Sequence, residues 1–251
     1  MSFSIVIPAR FASTRLPGKP LLEIAGKSMI HRVYERACNS NADRVVIATD
    51  DDRIASVAKA FGAEVCMTLS SHESGTDRLQ EVVTQLSFPQ DHVVVNVQGD
   101  EPLIPPAVIN QVASDLSQSA DASIATLVEP INDVETIFNP NAVKVTMTAQ
   151  GRALYFSRAP IPWSRDSFSH KVPALPVGAI FYRHIGIYAY RTAFLHQFVE
   201  WSPSPLEITE KLEQLRALEN GVIITASEAC EHIPAGIDTE QDLVAVRALF
   251  Q

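Results

Sequence analysis

The stretch RVVIATDDDRIASVAKAFGAEVCM, residues 44–67, decides the fold class. Residues 44–48 form a β-branched apolar run, which predicts a buried strand. Asp50 and Asp51 then open a helix that ends near Gly62, and their charge suits the positive end of a helix dipole. Residues 64–67 predict another short strand. The same alternation extends in both directions. Upstream lie a strand over 4–7 and a helix over 28–38, with Met29, Ile30, Val33 and Ala37 on its inner side. Downstream come a helix over 76–86, a strand over 92–97, a helix begun by Pro105 and Pro106, and a strand over 122–128. Repeated strand–helix alternation predicts an open, doubly wound, mostly parallel α/β sheet with helices on both faces.

The middle of the chain breaks this rhythm. Between 129 and 191 prolines cluster (Pro130, Pro140, Pro160, Pro162, Pro173, Pro176), and the strand-like runs 143–147, 153–157 and 185–190 have no long helices between them. This predicts a mainly antiparallel subdomain inserted into a single domain spanning 1–251. Helices resume over 191–200 and 206–220, the second ended by Gly221. A strand over 222–225 follows. The last helix starts after Asp238-Thr239, where Thr239 and Asp242 have the spacing of a capping box.

Composition narrows the function. Twenty Lys and Arg against twenty-nine Asp and Glu give 20 − 29 = −9, which argues against nucleic-acid binding, since phosphate backbones need a basic face. A small anion held by a few arginines remains compatible. With 46% hydrophobic residues the chain can bury a substantial core. Its three cysteines, Cys38, Cys66 and Cys230, lie far apart without a CxxC pair, so a reducing cytoplasm is expected. The first eight residues lack a basic leader, and no apolar run approaches the roughly 18 residues of a membrane span, so neither a signal peptide nor membrane insertion is expected.

Three cations, Arg10, Arg15 and Lys19, follow the first predicted strand. Open parallel sheets bind ligands at the carboxyl ends of their strands, so this loop reads as a phosphate clamp: the arginines fork onto oxygens and Lys19 adds a point charge. Ser13, Thr14 and backbone amides add neutral donors. Two apparent alternatives fail. Gly26-Lys27-Ser28 resembles the end of a P-loop, but Leu21 stands where that motif needs glycine. No GxGxxG follows the first strand either, so a dinucleotide-binding fingerprint is missing.

Acidic candidates lie further along. Asp100 follows Gly99 at the end of the strand over 92–97, and with Gln98 it points to one side of an extended segment. A hard carboxylate beside a phosphate clamp suits Mg²⁺, which shares phosphate oxygens and keeps waters. Asp238, after Gly236, either ligates a second position on the metal or only starts a helix. Asp50 either touches the ligand or serves the helix start. No Ser–His–Asp constellation and no histidine pair with metal-ligand spacing is present, which leaves positioning and charge stabilisation as the chemistry. For a second substrate, Arg78, Arg158, His184 and Tyr188 are polar groups near or within apolar runs, a set able to bind a hydroxylated carboxylate. Glu210, Glu213 and Gln214 either contact sugar hydroxyls or form a solvated helix face.

With these residues assembled, the chain resembles the 3-deoxy-manno-octulosonate (Kdo) cytidylyltransferase family, the CMP-Kdo synthetases. The resemblance is carried by PARFASTRLPGKPL (8–21), SGTDR (74–78), NVQGDEP (96–102), YFSRAPIPW (155–163), HIGIYAYR (184–191), EKLEQLRALE (210–219) and GIDTEQDL (236–243). The chain departs from the family pattern at Phe11, where tyrosine is expected, and at Arg183, where lysine is common. The resemblance implies a nucleotide-diphospho-sugar-transferase-like fold and transfer of CMP from CTP to the anomeric hydroxyl of Kdo. Pyrophosphate is released, Mg²⁺ assists, and the product feeds lipopolysaccharide synthesis in the cytoplasm. It implies Pro8, Ala9, Arg10, Arg15, Lys19, Ser74, Gly75 and Gln98 at the nucleotide, and Asp100 and Asp238 as the Mg²⁺ ligands. Lys19, Asp100 and Asp238 form the catalytic set. Arg78, Gln98, Arg158, His184, Tyr188 and Gln214 line the sugar site. It further implies a homodimer formed through the inserted segment. The rival readings are a cytidylyltransferase for another acidic sugar (8-amino-Kdo or a sialic acid), a nucleotide-sugar glycosyltransferase, and a non-catalytic nucleotide sensor.

Overall fold

The computed structural model describes residues 2–12, 16–72, 74–169, 174–176 and 178–250. In chain order the elements are β1 (Phe3–Ala9), β2 (Glu23–Ile24), β3 (Lys27–Ser28), α1 (Met29–Cys38), β4 (Arg44–Thr49), α2 (Asp52–Ala60), β5 (Glu64–Met67) and α3 (Gly75–Gln85). They continue with β6 (Val93–Asn96), α4 (Pro106–Gln118), β7 (Ile124–Pro130), α5 (Val134–Phe138), β8 (Lys144–Met147), β9 (Ala153–Ser157) and α6 (Arg165–Phe168). The last are β10 (Tyr182–Arg191), α7 (Thr192–Phe198), α8 (Pro205–Glu210), α9 (Gln214–Glu219), β11 (Ile224–Glu228) and α10 (Glu240–Ala248).

One nine-stranded sheet carries the fold, in the order β11-β7-β10-β6-β1-β4-β5, with β8 paired to β10 and β9 paired to β8. The pairs β1–β4, β1–β6, β4–β5 and β7–β11 are parallel, as the alternation predicts. β1 is buried on both sides: Ile5 and Ile7 pack in a cluster with Ile30, Val33, Ile54 and Val108, from α1, α2 and α4. Val6 packs in a second cluster with Leu79, Val82, Phe194 and Leu215, from α3, α7 and α9. A strand covered on both faces needs a continuous apolar run, and Ile5-Val6-Ile7 supplies it.

The segment 129–191 is antiparallel in character, but its strands belong to the main sheet. β10 lies between β6 and β7, antiparallel to both, and β8 extends from its first half. The strand that looks inserted therefore sits centrally in the sheet. The Gly26-Lys27-Ser28 run is a hairpin between β2 and β3, turned by Ala25 and Gly26 at φ 47° and 79°, as a two-residue hairpin turn requires. Asp51 caps α2 by accepting from the Arg53 amide at 2.9 Å, and the predicted Thr239–Asp242 capping box opens α10.

Candidate active site

Chain order reverses beside β1: the strands after it run outward through β4 to β5, and β6 then returns to its other edge. Such switch points form crevices at the strand ends. Here the crevice has a volume of about 440 Å³, and the predicted residues Pro8, Ala9, Arg10, Lys19, Gly75 and Gln98 line it together with Asp100 and Asp238. Arg15 and its neighbours Ser13 and Thr14 lie outside the described residues. Gly99 is what lets the β6 turn approach β1, because a Cβ there would lie 2.7 Å from the Pro8 carbonyl oxygen.

Lys19 reaches the crevice from a short 3-10 turn that starts at Gly18, which takes a left-handed φ of 67°. Its ammonium donates to Asp100 Oδ2 at 2.7 Å, to the Ile237 carbonyl at 2.6 Å and to Asp238 Oδ1 at 3.1 Å. Asp238 arrives there because the Ile237 amide donates to the Asp100 carbonyl at 2.9 Å, and Ile237 packs with Leu16, Ile24, Met29 and Leu243 in a separate apolar cluster. The sequence reading aims Lys19 at phosphate; in this structure its cation stands between the two carboxylates. That arrangement also tests the metal. Two carboxylates and a carbonyl surround a positive charge with hard oxygens, beside a crevice with room for waters and phosphate, which is the donor chemistry Mg²⁺ takes. Behind them Glu101 is half-buried with its Oε2 shut off from solvent, and its carboxyl is pushed up to about 8 by burial and then by the charge of Asp100.

The first turn of α3 separates this crevice from a second cavity. Ser74 caps the helix, and its carbonyl accepts from Arg10 Nη2 at 2.9 Å. Gly75 lines the crevice, whereas Thr76 lines a much smaller second cavity of about 40 Å³ with Tyr188, Glu213 and Gln214. The Tyr188 hydroxyl and Gln214 Nε2 are buried without a hydrogen-bond partner. Thr76 Oγ1 donates to the Glu213 carboxylate, whose proton affinity is raised by burial. Glu213 was one of several open possibilities in the sequence; its place in the cavity is a structural finding.

His184 packs against Phe156 and Tyr188, with ring centroids 5.0 and 5.2 Å away, and its Nε2 lies 3.0 Å from Thr126 Oγ1. Burial, then the charge of Arg183, pushes its pKa down to about 3, so the ring is neutral at physiological pH. An unfolded histidine titrates near 6.5, so as pH falls below that value the unfolded chain takes up a proton that the folded chain refuses. Stability should fall by up to about 1.4 kcal/mol per pH unit through that window. Urea melts at pH 6.5 and pH 5 should show a steeper loss for the parent than for His184→Asn; equal slopes would place the ring in water.

The two arginines expected at the sugar have other partners here. Arg78 is fully buried under α3, donates to Thr68 Oγ1 and lies 3.4 Å from Asp50 Oδ1. Arg158 donates to the carbonyls of Glu210 and Pro140 at 2.7 and 3.0 Å. The donors of Arg158 are taken up by backbone carbonyls, whereas Arg78 keeps Nε and Nη2 buried without a hydrogen-bond partner.

A sheet covered by helices on both faces, with cations and carboxylates at its switch point, is the architecture of a nucleotide-handling transferase, and the cytidylyltransferase family profile matches residues 4–229. The chain belongs to the cytidylyltransferase family. It is 58% identical over 250 residues to the 3-deoxy-manno-octulosonate cytidylyltransferase of Pseudomonas syringae pv. syringae, covering 100% of this chain and 98% of that one. The enzyme of the same description from Cellvibrio japonicus is 60% identical over 252 residues, covering 100% and 99%. A solved structure of CMP:2-keto-3-deoxy-manno-octonic acid synthetase complexed with CTP is 40% identical, with a TM-score of 0.89 over 99% of this chain and 98% of that one.

Proposed function

We propose that the protein transfers CMP from CTP to the anomeric hydroxyl of Kdo, giving CMP-Kdo and pyrophosphate for lipopolysaccharide synthesis. One observation carries this reading: a cation–carboxylate crevice and a cavity with unpartnered Tyr188 and Gln214 donors share the first turn of α3. CTP lies in the crevice, with its base end toward Pro8, Ala9, Ser74 and Gly75 and its phosphates toward Arg10 and Lys19, and Arg15 is the third cation the family resemblance assigns to them. The sugar hydroxyls meet Gln98, Tyr188, Glu213 and Gln214, beside neutral His184. When bound by Asp100 and Asp238, Mg²⁺ supplies the charge that polarises the α-phosphate and lowers the pKa of the attacking hydroxyl. The protein holds that hydroxyl in line with the bond to pyrophosphate, and Lys19 stabilises the charge on the departing group. The enzyme works in the cytoplasm as a homodimer; the exposed apolar Leu154, Trp163 and Ile180 on the 129–191 segment support a covered face there. Among the described residues, no helix is long and apolar enough to cross a membrane.

The test is purified protein with CTP, Mg²⁺ and a panel of Kdo, 8-amino-Kdo and a sialic acid, scored for pyrophosphate. Release that depends on Kdo and exceeds the other sugars is the expected result. CTP binding without pyrophosphate release would make the protein a sensor, and preference for another sugar would reassign the substrate.

A further inference from the structure

The segment over 206–220 reads as one helix, yet the structure holds two, α8 and α9. The break falls at Lys211, whose backbone is left-handed at φ 55° and ψ 47°. Neither glycine nor proline stands there, so a residue with a side chain holds a conformation that such residues avoid. A strained backbone persists only where its surroundings fix it.

Arg158 supplies that fixture. Its Nε donates to the Glu210 carbonyl at 2.7 Å and its Nη2 to the Lys211 carbonyl at 3.4 Å. Carbonyls at a helix end lack helical partners, so this is a cap delivered from another part of the chain. The Arg158 amide donates to Glu210 Oε2 at 2.9 Å, and Ser157 Oγ donates to Oε1 at 2.6 Å. The cap is anchored from behind as well. Arg158 Nη1 donates to the Pro140 carbonyl at 3.0 Å, and the buried Lys144 ammonium donates to the carbonyls of Arg158, Asn139 and Ala142 at 2.7, 2.7 and 2.6 Å.

The break changes what the following residues meet. In an unbroken helix Glu207, Glu210 and Gln214 would follow one another along one face. Here Glu210 turns to Ser157 and Arg158, Glu207 takes a two-pronged bond from Arg216 at 2.7 and 2.6 Å, and Glu213 and Gln214 line the cavity with Tyr188. We propose that Arg158 is a positioning residue: it caps α8, holds the Lys211 kink and so delivers Glu213 and Gln214 to the sugar, without itself binding the sugar carboxylate. This rests on the reading of that cavity as the sugar site.

Three variants test it. Arg158→Met should raise the KM for Kdo at least twentyfold while leaving the KM for CTP within twofold. The carboxamide of Kdo, which lacks the charge, should weaken by the same factor, and adding Lys211→Gly should restore most of the loss because glycine adopts the kink unaided. A loss confined to the carboxylate sugar, or one that Lys211→Gly leaves untouched, would overturn the proposal. Should Arg158→Met fail to fold, Lys211→Ile with Arg158 intact decides: a comparable rise in Kdo KM supports the kink, and an unchanged KM defeats it. Should the parent release no pyrophosphate with Kdo, the sugar reading falls by itself. The clamp is then judged by hydrogen exchange, where the amides of 211–216 should exchange at least tenfold faster in Arg158→Met and recover in Arg158→Met/Lys211→Gly; unaltered exchange would refute it.

Discussion

Asp100→Asn should lower pyrophosphate release by about a thousandfold, the scale on which loss of a preorganised charge at a reacting phosphate is felt. The fold should survive. Asparagine has the same shape and keeps an oxygen for Lys19, and the bond that brings in the C-terminal segment uses the Asp100 backbone carbonyl rather than its side chain. What disappears is one of two carboxylates facing a common cation, and a single remaining carboxylate holds Mg²⁺ poorly. A thermal melt close to that of the parent, together with the collapse in turnover under saturating Mg²⁺, is the expected pair of results. Near-normal turnover would remove Asp100 from the metal site.

Why the first half of the fold is legible follows from local physics. The strands β1, β4, β5, β6 and β7 are short apolar runs alternating with helices, and α2, α3 and α4 are marked by side-chain caps or an opening proline, so period and punctuation agree. That the antiparallel strands of 129–191 join the main sheet is not legible locally, for a different reason. β10 is recognisable as a strand from 185–190, but its partners β6 and β7 were written far upstream, and no local pattern states that a later strand will enter between two earlier ones. The split of 206–220 is similar. Leu206 to Asn220 has helical residues throughout, and the cap that breaks it comes from Arg158 in β9's wake.

The site divides along the same line. Asp100 and Lys19 were readable because both stand where a parallel strand ends. Asp238 was left open between metal ligand and helix start, since only the Ile237–Asp100 contact and the apolar cluster under α10 bring it across. A weak signal was present: both aspartates follow a glycine at a strand-to-helix turn, and Gly236 does sit against Asp100, 3.4 Å from its carbonyl oxygen and Oδ1 for any added Cβ. The surroundings of Arg78 and Arg158 are not legible in the sequence. Arginine type suggests a carboxylate partner; in the structure Arg78 lies beside Asp50 and Thr68 with two nitrogens unpartnered, and Arg158 turns its donors to the end of α8.

Lys19→Met should separate two roles that a single activity assay would merge. The ammonium lies 2.7 and 3.1 Å from the two carboxylates, and its side chain is 13% exposed, so it competes with a divalent cation for the same oxygens. Methionine keeps much of the aliphatic stem and removes the charge. Asp100 and Asp238 would then lose the ammonium that lies between them, and two like charges held close recruit a cation. Mg²⁺ should therefore bind the nucleotide-free variant several-fold more tightly than the parent by calorimetric titration. Turnover should move the other way, falling by roughly two to three orders of magnitude, because the phosphates lose a donor aimed at charge that grows as pyrophosphate departs. The opposite signs are the discriminating feature. If Lys19 only braced the loop after β1, the variant would lose metal affinity and thermal stability together; if it only gripped phosphate, metal affinity would not change. Tighter Mg²⁺ with slower transfer is expected only of a cation that holds the two aspartates in the free protein and serves the phosphates during reaction.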